Sequence, residues 1–238
     1  MYSKTFAVVC LAAIFFNCCQ KSKTSITPMA SLNLINATVG TTAIKSNWTN
    51  LVNKSQSQYY GQISTTVGYG ANYVYGVLAN RDVPLTIIAT TDTVNPIFTA
   101  NLNLSSGSIY SFYLAGHTGA VDTILVKEVI PAYGDSSCGV RFINLVYNSN
   151  PIDIRQKSTP GIIDFSTIGY KQYSSFKQYG ARVVNTTDTF QVVDHTTSAV
   201  LTTYVLSTPY FQNVTLAWIG QSGGAAANAP KVIRINNY

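Results

Sequence analysis

Ser31-Leu32-Asn33-Leu34-Ile35-Asn36 and Gly139-Val140-Arg141-Phe142-Ile143-Asn144 are two versions of one segment, and that likeness decides the fold. Three more pairs follow in the same order. Ser64-Thr65-Thr66-Val67-Gly68-Tyr69 answers Phe165-Ser166-Thr167-Ile168-Gly169-Tyr170, and Ala89-Thr90-Thr91-Asp92-Thr93 answers Asn185-Thr186-Thr187-Asp188-Thr189. Ile109-Tyr110-Ser111-Phe112-Tyr113-Leu114-Ala115-Gly116 answers Asn213-Val214-Thr215-Leu216-Ala217-Trp218-Ile219-Gly220. The separations are 108, 101, 96 and 104 residues. Constant order with drifting spacing is the mark of a tandem duplication whose loops have changed length, here of a unit of about 100 residues.

Inside each unit the apolar period is two. Leu32 and Leu34 alternate with polar neighbours, as do Leu102, Leu104 and Ile109, and later Ile124 and Val126. Short apolar runs (83–89 and 121–126) are bounded by Gly, Asn, Asp or Pro, and no stretch sustains a helical period. The chain is therefore expected to be all-β, with two tandem antiparallel β-sandwich domains of immunoglobulin-like character at residues 31–132 and 137–238. The turn-rich stretch Pro131-Ala132-Tyr133-Gly134-Asp135-Ser136-Ser137 separates them.

Composition agrees. Charged residues make up 10% of the chain, against about 25% in an average globular protein, and Thr, Ser, Asn, Tyr and Gly replace them. The net charge of +6 is not gathered into a stripe: residues 31–134 carry four bases and four acids, and residues 135–238 carry eight bases and five acids. No nucleic-acid module is recognisable, so nucleic acid is not an expected partner.

The beginning of the chain reads as a targeting segment. Lys4 supplies a positive charge, and residues 6–16 are eleven consecutive apolar residues. That length suits the apolar region of a secretory signal, roughly 7–15 residues, and falls short of the ~20 needed to span a bilayer. Asn17-Cys18-Cys19-Gln20 follows at once. A Cys in this place resembles the lipoprotein signal, with Cys18 (alternatively Cys19) as the acylated residue, residues 1–17 as signal peptide and residues 18–30 as a flexible tether. Export to the outer membrane or periplasm, with a lipid anchor to the membrane, is the expectation, and the cell surface stays open. Cys138 is then the single cysteine of the folded part, which excludes an intradomain disulfide framework and suits a small buried hydrophobe.

The repeated elements also resemble a known family. An opening strand that ends in Asn, a Gly-Tyr element, a Thr-Thr-Asp-Thr stretch and a strand closing on Gly resemble the bacterial domain of unknown function numbered 4397, frequent in tandem in Bacteroidetes lipoproteins. The resemblance covers residues 30–238. The family's Asp-Val-Tyr strand is matched by Ile152-Asp153-Ile154 and replaced by Ala43-Ile44-Lys45 in the first copy. The resemblance implies the sandwich fold and brings no activity.

Candidate chemistry is sparse: nine acids and two histidines. Asp194, His195 and Ser198 are near in sequence, but adjacent strand residues point to opposite faces, which keeps Asp194 and His195 apart. Gly220-Gln221-Ser222-Gly223-Gly224 corresponds to the turn Gly116-His117-Thr118-Gly119, so a hairpin accounts for both. His117 and His195 have no ligand-spaced neighbours, and neither a metal nor another cofactor is expected. Asp153 and Asp164 are the one carboxylate pair worth weighing for glycoside cleavage, and turn or strand-end capping is the better account of them. Aromatic clusters are the more telling feature: Tyr59, Tyr60, Tyr69, Tyr73 and Tyr75 in the first copy, Tyr170, Tyr173, Phe176 and Tyr179 in the second. Tyr69, Tyr73, Tyr170 and Tyr173 are the candidates for ligand contact, since Tyr joins an apolar face to a hydroxyl. The expected function is a non-catalytic cell-envelope lipoprotein acting as a binding, adhesion or structural module, for a glycan or an envelope protein. An enzyme or accessory protein acting on polysaccharide is the alternative.

Overall fold

The computed structural model describes residues 27–49, 65–180, 187–207 and 210–237. Among these, the first repeat supplies β1 (Met29–Asn36), β2 (Ala43–Asn47), β3 (Thr66–Gly68), β4 (Asn72–Leu78), β5 (Asp82–Ala89), β6 (Asp92–Asn103), β7 (Ile109–His117) and β8 (Ala120–Lys127). The second supplies β9 (Cys138–Tyr147), β10 (Ile152–Gln156), β11 (Phe165–Ile168), β12 (Lys177–Tyr179), β13 (Thr187–Asp194), β14 (Val200–Ser207), β15 (Asn213–Gln221) and β16 (Lys231–Asn236). A 3₁₀ turn, Ala226–Asn228, precedes β16.

Each set of eight folds into a two-sheet sandwich, as the period-two pattern predicts. In the first repeat an inner sheet, β4-β1-β7-β8, covers an outer sheet, β3-β2-β5-β6. In the second, β12-β9-β15-β16 covers β11-β10-β13-β14. The pairing is not wholly antiparallel: β1 runs parallel to β7, and β9 parallel to β15. Leu32, Leu34, Ile87 and Phe112 fill the first sandwich; Phe142, Ile154, Phe190 and Leu216 fill the second.

Strand register fixes which residues of the two repeats are equivalent. Ser31 stands opposite Ile109 and Gly139 opposite Asn213, so the segments separated by 108 and 104 residues occupy the same places. Asn36 and Asn144 are both fully buried and do the same work. Asn36 Nδ2 donates to the Val67 carbonyl at 3.2 Å and Asn144 Nδ2 to the Ile168 carbonyl at 3.1 Å, each fastening the Gly-Tyr turn to the first strand. The Thr-Thr-Asp-Thr stretches, by contrast, are not equivalent. Asp92 opens β6, whereas Asp188 lies near the start of β13. Ala89 pairs with Ile44 and Asp194 with Ile152, so Asp194 is the residue that answers Ala89. Thr suits strands and Asp suits turns wherever they fall, so this tetrapeptide recurs by composition.

A third apolar core joins the repeats. Ile35, Tyr113 and Ala115 of the first inner sheet pack against Ile143, Leu145, Ala217 and Ile219 of the second, and all of them are fully buried. The inner sheets therefore lie face to face in a four-layer stack. Strands β7, β9 and β15 are buried on both faces over nearly their whole length, beyond the one-sided burial that period two implies. Burying one Ile or Leu contributes roughly 2 kcal/mol, so this core ties the sandwiches together far more firmly than the linker. The rings of His117, ending β7, and Tyr147, ending β9, lie 5.1 Å apart, so β1, β7, β9 and β15 all finish at one end of the molecule. Gly116 and Gly220 sit at that end with φ of +74° and +125°. A Cβ at Gly116 would lie 2.4 Å from the Ala120 carbonyl oxygen, and one at Gly220 would lie 2.8 Å from Pro230 Cα, so glycine alone fits.

Candidate functional site

The four candidate tyrosines divide into three environments. Tyr69 and Tyr170 stand in equivalent Gly-Tyr turns, and each reaches across to the other repeat. The Lys231 ammonium lies 4.9 Å above the Tyr69 ring. The Tyr170 hydroxyl donates to Asp122 Oδ2 at 2.9 Å, while Lys171 Nζ donates to Asp122 Oδ1 at 2.7 Å. Asp122 faces Ala115 and Lys231 faces Ile219, which are equivalent places, so the two contacts are related by a pseudo-twofold axis between the repeats. Lys171 beside it holds the Asp122 carboxyl below the usual carboxylate range; burial and the bond to Asp122 push the Tyr170 hydroxyl up. Both rings are half-buried and serve the junction between sandwiches.

Tyr73 is exposed at the edge of the first sandwich, its ring 4.8 Å from Tyr75, which in turn meets Trp48 at 5.2 Å. Tyr173 is not its counterpart. Ile143 bridges to Tyr173 and Ile35 pairs with Asn72, so Tyr173 takes the place of Asn72, one residue from Tyr73. Neighbouring strand positions face opposite ways, and Tyr173 accordingly turns to the junction. Tyr59 and Tyr60, like Cys18 and Cys19, lie outside the described residues.

Tyr173 lines a groove of about 360 Å³ along the junction, with Val126, Lys127, Val129, Arg141 and Phe176. Its organiser is Arg141, which stands where the first repeat has Asn33. The guanidinium lies 5.5 Å from the Tyr173 centroid and 4.7 Å from the Phe176 centroid. Behind, Nε donates to Thr215 Oγ1 at 2.8 Å, and Nη2 donates to Glu128 Oε1 at 2.5 Å and to the Tyr113 hydroxyl at 3.3 Å. The Arg141 and Glu128 side chains are 5% and 0% exposed, so this is a buried ion pair between repeats. Arg141 thus holds two aromatic rings from the inside, and Tyr173 stays 47% exposed. No sequence pattern pointed to Arg141 or Glu128, because their partnership spans the two repeats.

The groups weighed for catalysis are engaged elsewhere. Asp194 accepts from the Thr196 and Thr197 amides at 2.9 and 2.8 Å and from Asn150 Nδ2 at 3.0 Å; Asn150 and these amides hold its carboxyl below the usual range. His195 turns away from Asp194 and pairs through Nδ1 with Asp153 at 3.0 Å, and the Thr167 amide donates to the same carboxylate. Asp164 pairs with Lys177. Asp153 and Asp164 thus each have a separate structural partner. The hairpins β7–β8 and β15–β16 account for the two Gly-rich turns. Among the described residues no three His, Cys, Asp or Glu side chains gather as a metal site, and no helix is long and apolar enough to cross a membrane.

Cys138 opens β9 and is fully buried in the second core. Burial pushes its thiol up to about 11. In a variant truncated to residues 20–238, where Cys138 is the one thiol, native protein at about pH 8 is expected to react with a thiol reagent far more slowly than denatured protein. A raised thiol stabilises the fold below the ordinary thiol range and loses that contribution as pH climbs towards 11. Cys138→Ala should therefore lose less stability than the parent over that alkaline window; equal losses in urea titrations would contradict the assignment.

Fold and site together define a duplicated β-sandwich protein with an aromatic groove at its internal junction. No family model and no curated protein matches the chain. Nine chains of solved structures match. One is CBMbc (family CBM26) from Eubacterium rectale Amy13K in complex with maltoheptaose, 10% identical, aligned over 88% of this chain and 97% of that one, with a TM-score of 0.28.

Proposed function

We propose that the chain is an envelope-anchored, non-catalytic binding protein whose junction groove holds a glycan against Tyr173. The exposed Tyr173 ring, fixed from behind by Arg141, carries this reading. A ring already held in place loses little freedom on binding, and its apolar face suits the C–H face of a sugar. Ser175 and Lys127 in the lining offer hydroxyl and ammonium donors to sugar oxygens. Arg141 is neutralised by Glu128, so Lys127 is the lining charge that favours carboxylate-bearing sugars over neutral ones. Anchoring rests on the leader and Cys18, or alternatively Cys19. It sets the membrane towards Met29, where β1 begins, and turns the far ends of β1 and β9 outward.

Affinity electrophoresis through gels containing oligouronate polymers tests the groove. Tyr173→Ala is expected to weaken retention about 30-fold, the loss of one aromatic hot spot, with only a small drop in melting temperature from the lost Arg141 contact. Retention equal to the parent's in both Tyr173→Ala and Lys127→Ala overturns the site. For the anchor, a fatty-acid analogue should label the expressed parent chain and fail to label Cys18→Ala; an unlabelled parent sinks the lipoprotein reading.

A further inference from the structure

Both sandwiches carry a depression at the same place. Gly40 in one answers Asn148 in the other, Ala89 answers Asp194, and Ile97 answers Leu201. The turns that close them are equivalent too: the Thr118 amide donates to the Val39 carbonyl, and the Ser222 amide donates to the Tyr147 carbonyl. Gly40 and Asn148 both hold a left-handed backbone there, at φ +86° and +59°. The depressions measure about 500 and 250 Å³, the first inside and the second just below the ~300–1,000 Å³ range of small-ligand sites. Both lie at the end where β1, β7, β9 and β15 finish, on either side of the His117–Tyr147 contact. At the usual ~10 Å between stacked sheets, the four layers set them at least about 20 Å apart.

Their chemistry is shared although its sources differ. In the first, Asn95 Nδ2 donates to Asp92 Oδ2 at 2.9 Å; in the second, Asn150 Nδ2 donates to Asp194 Oδ2 at 3.0 Å. Each thus sets a carboxamide beside a carboxylate in a lining that also holds apolar residues, Pro96 and Ile97 in one and Leu201 and Pro230 in the other. Beyond that bond each carboxamide keeps a second Nδ2 hydrogen and its Oδ1, an adjacent donor and acceptor that match the vicinal hydroxyls of a sugar, and the apolar residues match its C–H face. Neither lining contains Lys, Arg or His, and each contains one Asp, so an anionic ligand is disfavoured.

We infer that the two depressions are paired sites for neutral saccharides, one per repeat, which engage a polysaccharide together. They are separate from the groove at Tyr173 and opposite to it in charge preference. Two linked sites on one rigid body raise avidity without any new contact.

The test uses the ¹⁵N-labelled chain titrated with linear neutral hexasaccharides of glucose, mannose or xylose. At least one should shift the amides of Gly40 and Thr118 and those of Asn148 and Ser222. Thr118→Trp and Ser222→Trp, at exposed turn positions, fill one depression each and should abolish only the corresponding shifts. Thr118→Ala and Ser222→Ala keep the depressions open and should retain both sets. Retention on the matching immobilised polysaccharide should fall at least about tenfold in either Trp variant and vanish in the double variant. Three silent hexasaccharides, or shifts that persist in the double Trp variant, overturn the inference. Shifts centred on Tyr173 alone also overturn it while leaving the groove reading standing.

Discussion

Glu128→Ala should destabilise the chain by about 3–5 kcal/mol, the usual cost of leaving one charge of a buried pair without its partner. Arg141 loses its 2.5 Å bond to Glu128 Oε1 and keeps hydrogen bonds to Thr215 and Tyr113 and the faces of two aromatic rings, all uncharged. Replacing both partners by apolar groups of similar volume, Glu128→Leu with Arg141→Met, should come close to the parent, because neither charge is then desolvated. The loss also has a direction in the structure. Glu128 follows β8 and Arg141 lies in β9, so the pair bolts one sandwich to the other beside the third core. Urea denaturation followed by Trp48 and Trp218 fluorescence, one reporter in each repeat, reads the result. The parent should unfold in a single transition with coincident reporters, and Glu128→Ala should unfold at lower urea. A parent chain whose reporters unfold at separate urea concentrations would refute the bolted four-layer unit.

Asn144→Ala and Asn36→Ala should each cost about 3 kcal/mol, and by similar amounts, because both remove the same buried clamp. Asn144 holds the Ile168 carbonyl, Ser149 Oγ at 3.0 Å and the Val146 amide at 3.1 Å. Asn36 holds the Val67 carbonyl, Thr41 Oγ1 at 3.2 Å and the Thr38 amide at 3.1 Å. Alanine strands these partners away from water, and each buried group left unsatisfied costs about 1–3 kcal/mol. The Gly-Tyr turn then loses its fastening, so Tyr69 or Tyr170 should release its contact with the opposite repeat. Amide exchange at Gly70 and Lys171, whose N–H groups donate to the Asn36 and Asn144 carbonyls, should report the loosening. Unchanged denaturation midpoints in both variants would mean that the Asn clamp contributes nothing.

The sequence was a sound guide wherever a property is local. Period two in Leu32 and Leu34, turn residues at regular spacing, and Asn36 with its echo Asn144 identified strands and the duplication, because pleat and turn chemistry depend on near neighbours. Cys138 read correctly as a buried hydrophobe for the same reason. Local likeness misled where it reflected composition: the Thr-Thr-Asp-Thr stretches match in letters and differ in place. Tyr73 and Tyr173 look like counterparts, yet a shift of one residue sends them to opposite faces, as a strand's side-chain period requires.

Tertiary structure alone decided the rest. That Ile35 and Ile143 bury a second face, that Arg141 meets Glu128, and that His195 chooses Asp153 over its neighbour Asp194 are facts about surfaces brought together from distant segments. The two depressions belong to the same class, since each is closed by three turns far apart in the chain. Alternation along a strand fixes which residues share a face, but not what that face will meet; that depends on how whole sheets stack, and the stacking energy is distributed over both repeats.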